Sequence, residues 1–343
     1  MTLRCRPLDE AMEGAWDQFV LAMPEGTFFH LARWRAVIAK AFRHPACYLL
    51  AERDGQISGV LPLVHVRTRL FGNGLVSVPF CVYGGPLAAD AESAACLEQA
   101  AARLMERSGA RFCEVRLLHD AASTWSAGPS LYETFRKRLA PTDEENLKAI
   151  PRKQRAVVRK GIANGLTARI DRDADAFFPL YAESVRNLGT PVFPRRYFRL
   201  LLEAFPESAE VLSVADEGRP IAAVMSFFFR NEVLPYYAGG GHAARGRAGH
   251  EFMYWEVMRR AVARGLDLFD FGRSKIGSGS HAFKKNWGFC PEPLSYRYLL
   301  APGAAIPENN PRNPKYRLMI AAWKRLPLPL ANAIGPHIVR GIG

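Results

Sequence analysis

The chain has 343 residues, 49% of them hydrophobic and 23% charged, and 46 Lys and Arg against 33 Asp and Glu leave a formal net charge of +13. At roughly 100–200 residues per domain this is material for about two globular domains. It excludes a disordered, collagenous or disulfide-stapled miniature chain. The positive balance favours RNA, nucleotide-linked substrates or an anionic membrane face, without choosing among them.

No uninterrupted apolar run reaches the roughly 18–20 residues that cross a bilayer. The start, Met1-Thr2-Leu3-Arg4-Cys5-Arg6-Pro7, lacks the apolar stretch of a secretory signal, so a cytoplasmic address is expected. Cys5, Cys47, Cys81, Cys96, Cys113 and Cys290 are scattered, with no Cys-x-x-Cys pair and no Cys/His cluster at metal spacing. Reduced thiols and no metal are therefore expected.

Two stretches, Ala46 to Leu117 and Ala209 to Ser274, carry one pattern. Each opens with an apolar strand and a polar turn, Asp54-Gly55 in the first and Glu217-Gly218 in the second. Such pairs between apolar runs signal hairpins. A second strand follows, then a glycine-rich junction, Tyr83-Gly84-Gly85-Pro86 or Tyr237-Ala238-Gly239-Gly240-Gly241. Helical periodicity follows over about 92–108 and about 249–264. Gly109 and Gly265 suit C-terminal caps. A buried strand closes each copy, Phe112 to Leu117 and Leu268 to Gly272. The order strand-turn-strand-strand-helix-strand, met twice, predicts an α+β fold made by duplicating one mixed-sheet unit of about 150 residues. The expected division is 1–145, 146–302 and a basic, Pro-rich tail over 303–343.

Between the copies, Pro151 stands where a helix would begin. Arg152, Arg155 and Arg159 then project from one face, fit for a phosphate-bearing acceptor or a tRNA backbone, or for plain solvation. Asp143, Glu144 and Glu145 just upstream are expected to favour the start of this helix through its dipole. After Pro302 a loop rich in Pro, Gly and Asn runs to Pro314. From Lys315 to Gly343 there are five Lys and Arg and no acid, and Pro327, Pro329 and Pro336 are expected to break the segment into short pieces. It can pack on the body, lie on an anionic membrane or grip RNA.

The most distinctive segment runs from Asp270 to Phe289, leaving a buried strand, crossing a glycine-rich loop and entering a short helix. Backbone near Gly277 and Gly279 can approach a ligand closely. Arg273 and Lys275 can meet an anion, and Lys284 can neutralise a phosphate or an oxyanion. Asp270 can accept a proton or orient Arg273. His281, three residues before Lys284, has the side chain suited to taking a proton from an ammonium group, unless it is incidental to the loop. Trp287 reads equally as a core plug. No P-loop and no Ser-His-Asp order is present, which leaves NTPase and hydrolase readings without support.

The elements Asp270-Phe271-Gly272-Arg273-Ser274 and Phe283-Lys284-x-x-Trp287-Gly288, with His250-Glu251-Phe252-Met253-Tyr254-Trp255 and the basic segment 151–161, resemble the FemAB-like N-acyltransferases of the GNAT superfamily. The early Phe28-Phe29-His30-Leu31-Ala32-Arg33-Trp34 is similar to their N-terminal Gln-Ser-x-x-Trp element, with His30 in place of the glutamine. The similarity covers roughly residues 15–300 and looks closest to the FemAB-like proteins associated with PEP-CTERM/exosortase exopolysaccharide loci. It implies tandem GNAT-like domains and transfer of an acyl or aminoacyl group to an amine of a cell-envelope or exopolysaccharide precursor.

By motif match, Phe283 and Lys284 correspond to the Phe-Lys pair near the acyl donor. Lys284, Asp270 and His281 are the expected catalytic residues. Phe283, Arg273, Ser274, Lys275, Trp287, Tyr237, Trp34 and the three arginines of the basic helix are the expected substrate contacts. The superfamily's pyrophosphate loop, Gln/Arg-x-x-Gly-x-Gly/Ala, falls on 242–250, where Ala243 occupies the first position. Arg245, Gly246, Arg247 and Gly249 are its expected phosphate contacts. The implied co-substrate is acyl-CoA or aminoacyl-tRNA, with no tightly bound cofactor. The implied acceptor is a small or lipid-linked amine, with possible contacts to tRNA and, through 315–343, to an anionic membrane at the inner face. The alternative is a catalytically silent GNAT-like scaffold in polysaccharide assembly.

Overall fold

The computed structural model describes residues 3–68, 72–121, 123–307 and 314–342, without the side chains of 314–317. Part of the loop expected between Pro302 and Pro314, residues 308–313, lies outside the described residues. The chain divides into two units. One comprises Met1–Ser130, Leu294–Asn309 and His337–Gly343, the other Leu131–Pro293 and Asn310–Pro336.

Among the described residues each unit holds one eight-stranded mixed sheet. In the first unit Leu3–Pro7, Ala46–Arg53, Gln56–Thr68 and Gly72–Ser77 pair antiparallel in that order. Gly72–Ser77 then pairs in parallel with Phe112–Leu117. Parallel neighbours need a long crossover, and the helix Ala91–Ser108 supplies it. Its buried Leu97, Ala101 and Met105 recur every four residues, so they face one way. Full burial of a side chain such as Leu97 stabilises by about 1.5–3 kcal/mol.

The second unit repeats the plan. Thr167–Asp171, Ala209–Asp216, Arg219–Phe229 and Glu232–Gly240 pair antiparallel. Glu232–Gly240 then pairs in parallel with Leu268–Asp270, across the helix Gly249–Ala263. The two hairpins agree in detail. Asp54 and Gly55 have φ of 49° and 85°, and Glu217 and Gly218 have 50° and 79°. Two successive positive φ values make the tight hairpin turn that suits right-twisted strands. Beside each turn the register shifts by one residue, between Ala51 and Glu52 and between Val214 and Ala215. The duplicated α+β architecture is thus repeated down to its bulges.

The division departs from the expected boundaries for reasons of strand pairing. Tyr132–Arg138, expected in the first domain, pairs antiparallel with Leu268–Asp270 in the second unit. Ser295–Leu300, expected in the second domain, pairs antiparallel with Phe112–Leu117 in the first. Each closing parallel strand therefore gains an antiparallel neighbour from a segment expected in the other copy. Asp143, Glu144 and Glu145 occupy the first turn of their own helix, Asp143–Ala149, capped by Thr142, rather than the start of the basic helix Arg152–Ala163.

The tail forms two helices, Pro314–Arg325 and Leu328–Val339. Pro327 and Pro329 fall at their junction, where a missing N–H is tolerated. Pro336 sits inside the second helix instead of breaking it. A disulfide joins Cys5 of strand Leu3–Pro7 to Cys96 of helix Ala91–Ser108, with Cα atoms 6.3 Å apart. This pair corrects the expectation that all six thiols are reduced.

Candidate functional site

The candidate site lies in the second unit, where two parallel strands part. Glu232–Gly240 and Leu268–Asp270 are in register only at Glu232 with Leu268 and at Val233 with Phe269. Further along, the register to Arg219–Phe229 jumps so that Met225 faces Tyr237 and Ser226 faces Pro235, leaving Tyr236 as a bulge. A bulge takes one residue out of the ladder and bends the strand. Asp270 ends the other strand, 1% exposed. Gly272 has φ of 65°, a left-handed conformation that favours glycine, and its N–H donates to Asp270 Oδ1 at 2.6 Å. The chain continues through Ser274–Lys275, which pairs with Glu133 and Tyr132. Ser278 accepts from the His281 N–H and caps the helix Gly279–Asn286.

That helix presents Phe283, Lys284 and Trp287 inward. Phe283, Phe271, Trp287 and Tyr254 pack ring to ring, with centroids 4.9–6.4 Å apart. Lys284 is buried among them. Its ammonium donates to Gly272 O at 2.8 Å and to Arg273 O at 3.0 Å, and lies over the Phe135 ring at 5.4 Å. Burial pushes the Lys284 amine down to about 7; the Asp270 charge resists the shift and that of Arg273 adds to it. A protonated lysine has three N–H donors and a neutral one has two. Two are fixed by carbonyls, and the third, present in the protonated form, has no hydrogen-bond partner among the described residues.

Behind Lys284 lies a charge cluster that the sequence did not announce. Arg136 stands directly across the strand pair from Asp270. Its Nε is 3.3 Å from Asp270 Oδ2, and its Nη2 donates to Glu232 Oε2 at 2.5 Å. Burial, with the nearby Asp270 charge, pushes the Glu232 carboxyl up to about 7, against the pull of Arg136. Asp270 is thus held by a backbone N–H and a guanidinium, which suits a positioning group better than an open base.

His281 is held from the other side. Its Nε2 and Glu133 Oε2 are 2.6 Å apart, and its ring meets Phe135 edge-on at 5.3 Å. In the neutral tautomer that donates Nε2–H to the carboxylate, Nδ1 carries the lone pair. Arg273 lies over the Tyr132 ring at 4.7 Å. The Ser274 hydroxyl and the Trp287 indole N–H are buried with no hydrogen-bond partner among the described residues, although buried polar groups are normally paired.

Asp270, Arg273, Ser274, Lys275, His281, Phe283, Lys284 and Trp287 therefore share one segment. The other expected residues lie elsewhere. Tyr237 sits in an aromatic cluster, its hydroxyl 2.8 Å from that of Tyr197 and its ring against Tyr181 and Phe193. Trp34 is fully buried in the first unit, its indole N–H donating to Phe28 O at 3.0 Å. It is a core side chain rather than a substrate contact. Arg152 and Arg159 are exposed on the basic helix, while Arg155 donates to Lys148 O at 3.1 Å.

Near the expected phosphate loop, Arg247 is engaged by Asp216 at 2.8 Å and donates to Asn164 O at 3.0 Å. Arg245 and Gly246 are exposed, and Gly249 is the first residue of the helix Gly249–Ala263. No cluster of three His, Cys, Asp or Glu able to hold a metal occurs among the described residues.

Glu232, Arg136 and Glu133 were missed because each reaches the site through strand register. For Glu232 the sequence signal is a charge set before an apolar run, Asn231-Glu232-Val233-Leu234, whereas Glu133 and Arg136 stand in a strand already rich in charge, Tyr132–Arg138.

Residues 145–285 match the model of an acetyltransferase (GNAT) domain. The fold is similar to the crystal structure of FemX at 16% identity and a TM-score of 0.65, covering 85% of this chain and 96% of that one. A tandem GNAT protein from the clavulanic acid biosynthesis pathway shares 13% identity with a TM-score of 0.55, over 89% of this chain and 100% of that one. L-PGS from Bacillus licheniformis shares 12% identity with a TM-score of 0.54, over 93% and 98%. No curated protein gives a significant match. The chain has an α+β fold of two GNAT-like units in tandem, similar in fold to FemX and to the tandem GNAT protein.

Proposed function

We propose that the chain is an N-acyltransferase that moves an acyl or aminoacyl group from acyl-CoA or aminoacyl-tRNA to an amine, with the reaction in the second unit. The observation that carries this reading is the buried Lys284 amine, fixed by two carbonyls and keeping a further N–H to offer in its protonated form. A preorganised donor in a dry site stabilises negative charge far more than one in water. In the reaction the neutral amine of the acceptor attacks the acyl carbonyl. A C–N bond forms, and the donor's thioester C–S or ester C–O bond breaks. The attacking nitrogen loses a proton, and the leaving group takes one. Lys284 steadies the charge developing on the carbonyl or leaving group. His281, oriented by Glu133, receives the amine proton on Nδ1. Asp270 and Arg136 hold the strand end and the loop under Lys284.

Phe283 and Trp287 line the donor side, with Arg273, Ser274 and Lys275 toward its polar part. Tyr237 stands on the strand that carries the bulge and supports that side. Arg245, Gly246 and Gly249 remain the phosphate contacts of this reading, while Arg152, Arg155 and Arg159 offer cations to a phosphate-bearing acceptor or a tRNA. The resemblance to FemAB-like enzymes, including those of PEP-CTERM/exosortase loci, directs the acceptor toward a cell-envelope or exopolysaccharide precursor. That precursor is small or lipid-linked and is met at the cytoplasmic side of the inner membrane.

One observation favours the second reading, a silent GNAT-like scaffold: Arg247 is tied to Asp216, which removes a cation from an already degenerate phosphate loop. Thermal shifts with acetyl-CoA, longer acyl-CoAs, aminoacyl-tRNA, uncharged tRNA and nucleotide-linked sugars separate the readings. A ligand at about 100 times its dissociation constant adds about 2.7 kcal/mol. A shift with acyl-CoA, or with charged beyond uncharged tRNA, names the donor. No shift with any of them overturns the transferase.

A further inference from the structure

The two C-terminal helices leave apolar faces uncovered. Pro314–Arg325 seats one side on the body: a Cβ at Gly189 would run into the Ile320 side chain, and Arg186 donates to Lys324 O and Leu326 O at 3.3 and 3.4 Å. Its other side carries Leu318, 77% exposed, and Met319, 61% exposed, with Ala322 and Arg325 exposed on the same face. Leu188, next to Gly189, is 66% exposed. Leu328–Val339 repeats the arrangement. Ala331 and Gly335 are buried, with Gly335 against Val192, while Leu330, Ala333 and Ile334 are exposed. Spacings of three and four put each exposed set on one helical face.

Charge selects what covers these faces. From Lys315 to Gly343 the chain has five Lys and Arg and no acid. Lys324 and Arg325 are exposed at the end of the first helix. A second copy seated symmetrically would set cations against cations. An RNA would meet the charges but would leave Leu318, Met319, Leu330 and Ile334 wet. A bilayer with anionic headgroups satisfies both features, because apolar side chains enter the acyl boundary while Lys and Arg meet phosphate. No described helix is long and apolar enough to cross a membrane, so these helices would lie in the headgroup plane. We infer that Pro314–Arg325 and Leu328–Val339 form a docking surface for an anionic phospholipid bilayer.

The inference stands apart from the acyl-transfer reading, and its test is read without turnover. The full chain is sedimented with vesicles of phosphatidylcholine alone or mixed equally with phosphatidylglycerol. Binding to the mixed vesicles, weakening with salt, is expected. Lys324→Ala with Arg325→Ala should weaken it about thirtyfold, from the loss of two cations. Leu318→Ser with Met319→Ser should weaken it tenfold or more. These positions are exposed, and unchanged circular dichroism and Tm check that both variants fold. Absence of binding to mixed vesicles overturns the inference, as do equal binding to the two vesicle types and unaltered binding by both variants. Loss of tRNA binding or of a dimer in these variants, with vesicle binding intact, overturns it in favour of those partners.

Discussion

Replacing Lys284 by methionine keeps the length of the side chain and removes its charge. The Lys284 amine titrates near 10.5 in an unfolded chain and is pushed down to about 7 by burial in the folded one. Between those values the unfolded state holds a proton that the folded state has released, so stability rises with pH across the window. Methionine has no such proton. The wild type should therefore gain stability relative to Lys284→Met by about 2–3 kcal/mol between about pH 7.5 and pH 9.5, from the two titration curves. Urea denaturation of both proteins at several pH values reads this difference, because the titrations of groups remote from Lys284 cancel on subtraction. Parallel curves would mean that the Lys284 amine is solvated and charged throughout, and the argument for a dry donor at this position would fall.

Glu232 should show the opposite slope in the neighbouring window. Its carboxyl is pushed up to about 7 from 4.5, so the folded state holds the extra proton and the wild type should lose stability relative to Glu232→Gln as pH rises through that range; a flat difference would place Glu232 in solvent. A Cβ on Gly161 would stand 2.9 Å from Phe252 Cβ and 3.0 Å from Ala248 O. Gly161→Ala should therefore destabilise by about 1 kcal/mol net despite the better helix former, since overpacking costs about 1–3 kcal/mol; a gain in Tm would refute the close packing of these two helices. Trp34→Ala should cost about 3–5 kcal/mol as a core truncation while leaving donor affinity in the folded protein unchanged; weaker donor binding without loss of stability would return Trp34 to the substrate contacts. His281→Gln should lower kcat/KM by about a hundredfold or more with Tm nearly unchanged; full activity would remove the imidazole from proton transfer.

Local chemistry made much of the fold legible in the sequence. Asp54-Gly55 and Glu217-Gly218 adopt the turns that their residue types favour, and Gly109 and Gly265 end their helices at positive φ. The Asp270 to Trp287 segment carried most of the site because its residues are neighbours in the chain. Non-local pairing hid the rest. Tyr132–Arg138 has no apolar alternation to mark it as a strand, and nothing local says which sheet receives it, so Glu133 and Arg136 stayed out of view. Cys5 and Cys96 are 91 residues apart and meet only through strand and helix packing. Trp34 lies in a stretch similar to a family element, yet its environment of Phe28 and Phe29 makes it core. Arg247 fits a phosphate loop by position, and its ion pair with Asp216 was not legible from spacing.

Amide formation tests the account most directly. Labelled acetyl-CoA and labelled aminoacyl-tRNA are each offered to the wild type and to Lys284→Met, with amine acceptors that include nucleotide-linked amino sugars and amine-bearing lipids. The wild type should yield a labelled amide from one donor, and Lys284→Met should lose about a hundredfold to a thousandfold in rate while binding that donor. No amide from the wild type with any pairing, or equal rates from both proteins, would contradict the account.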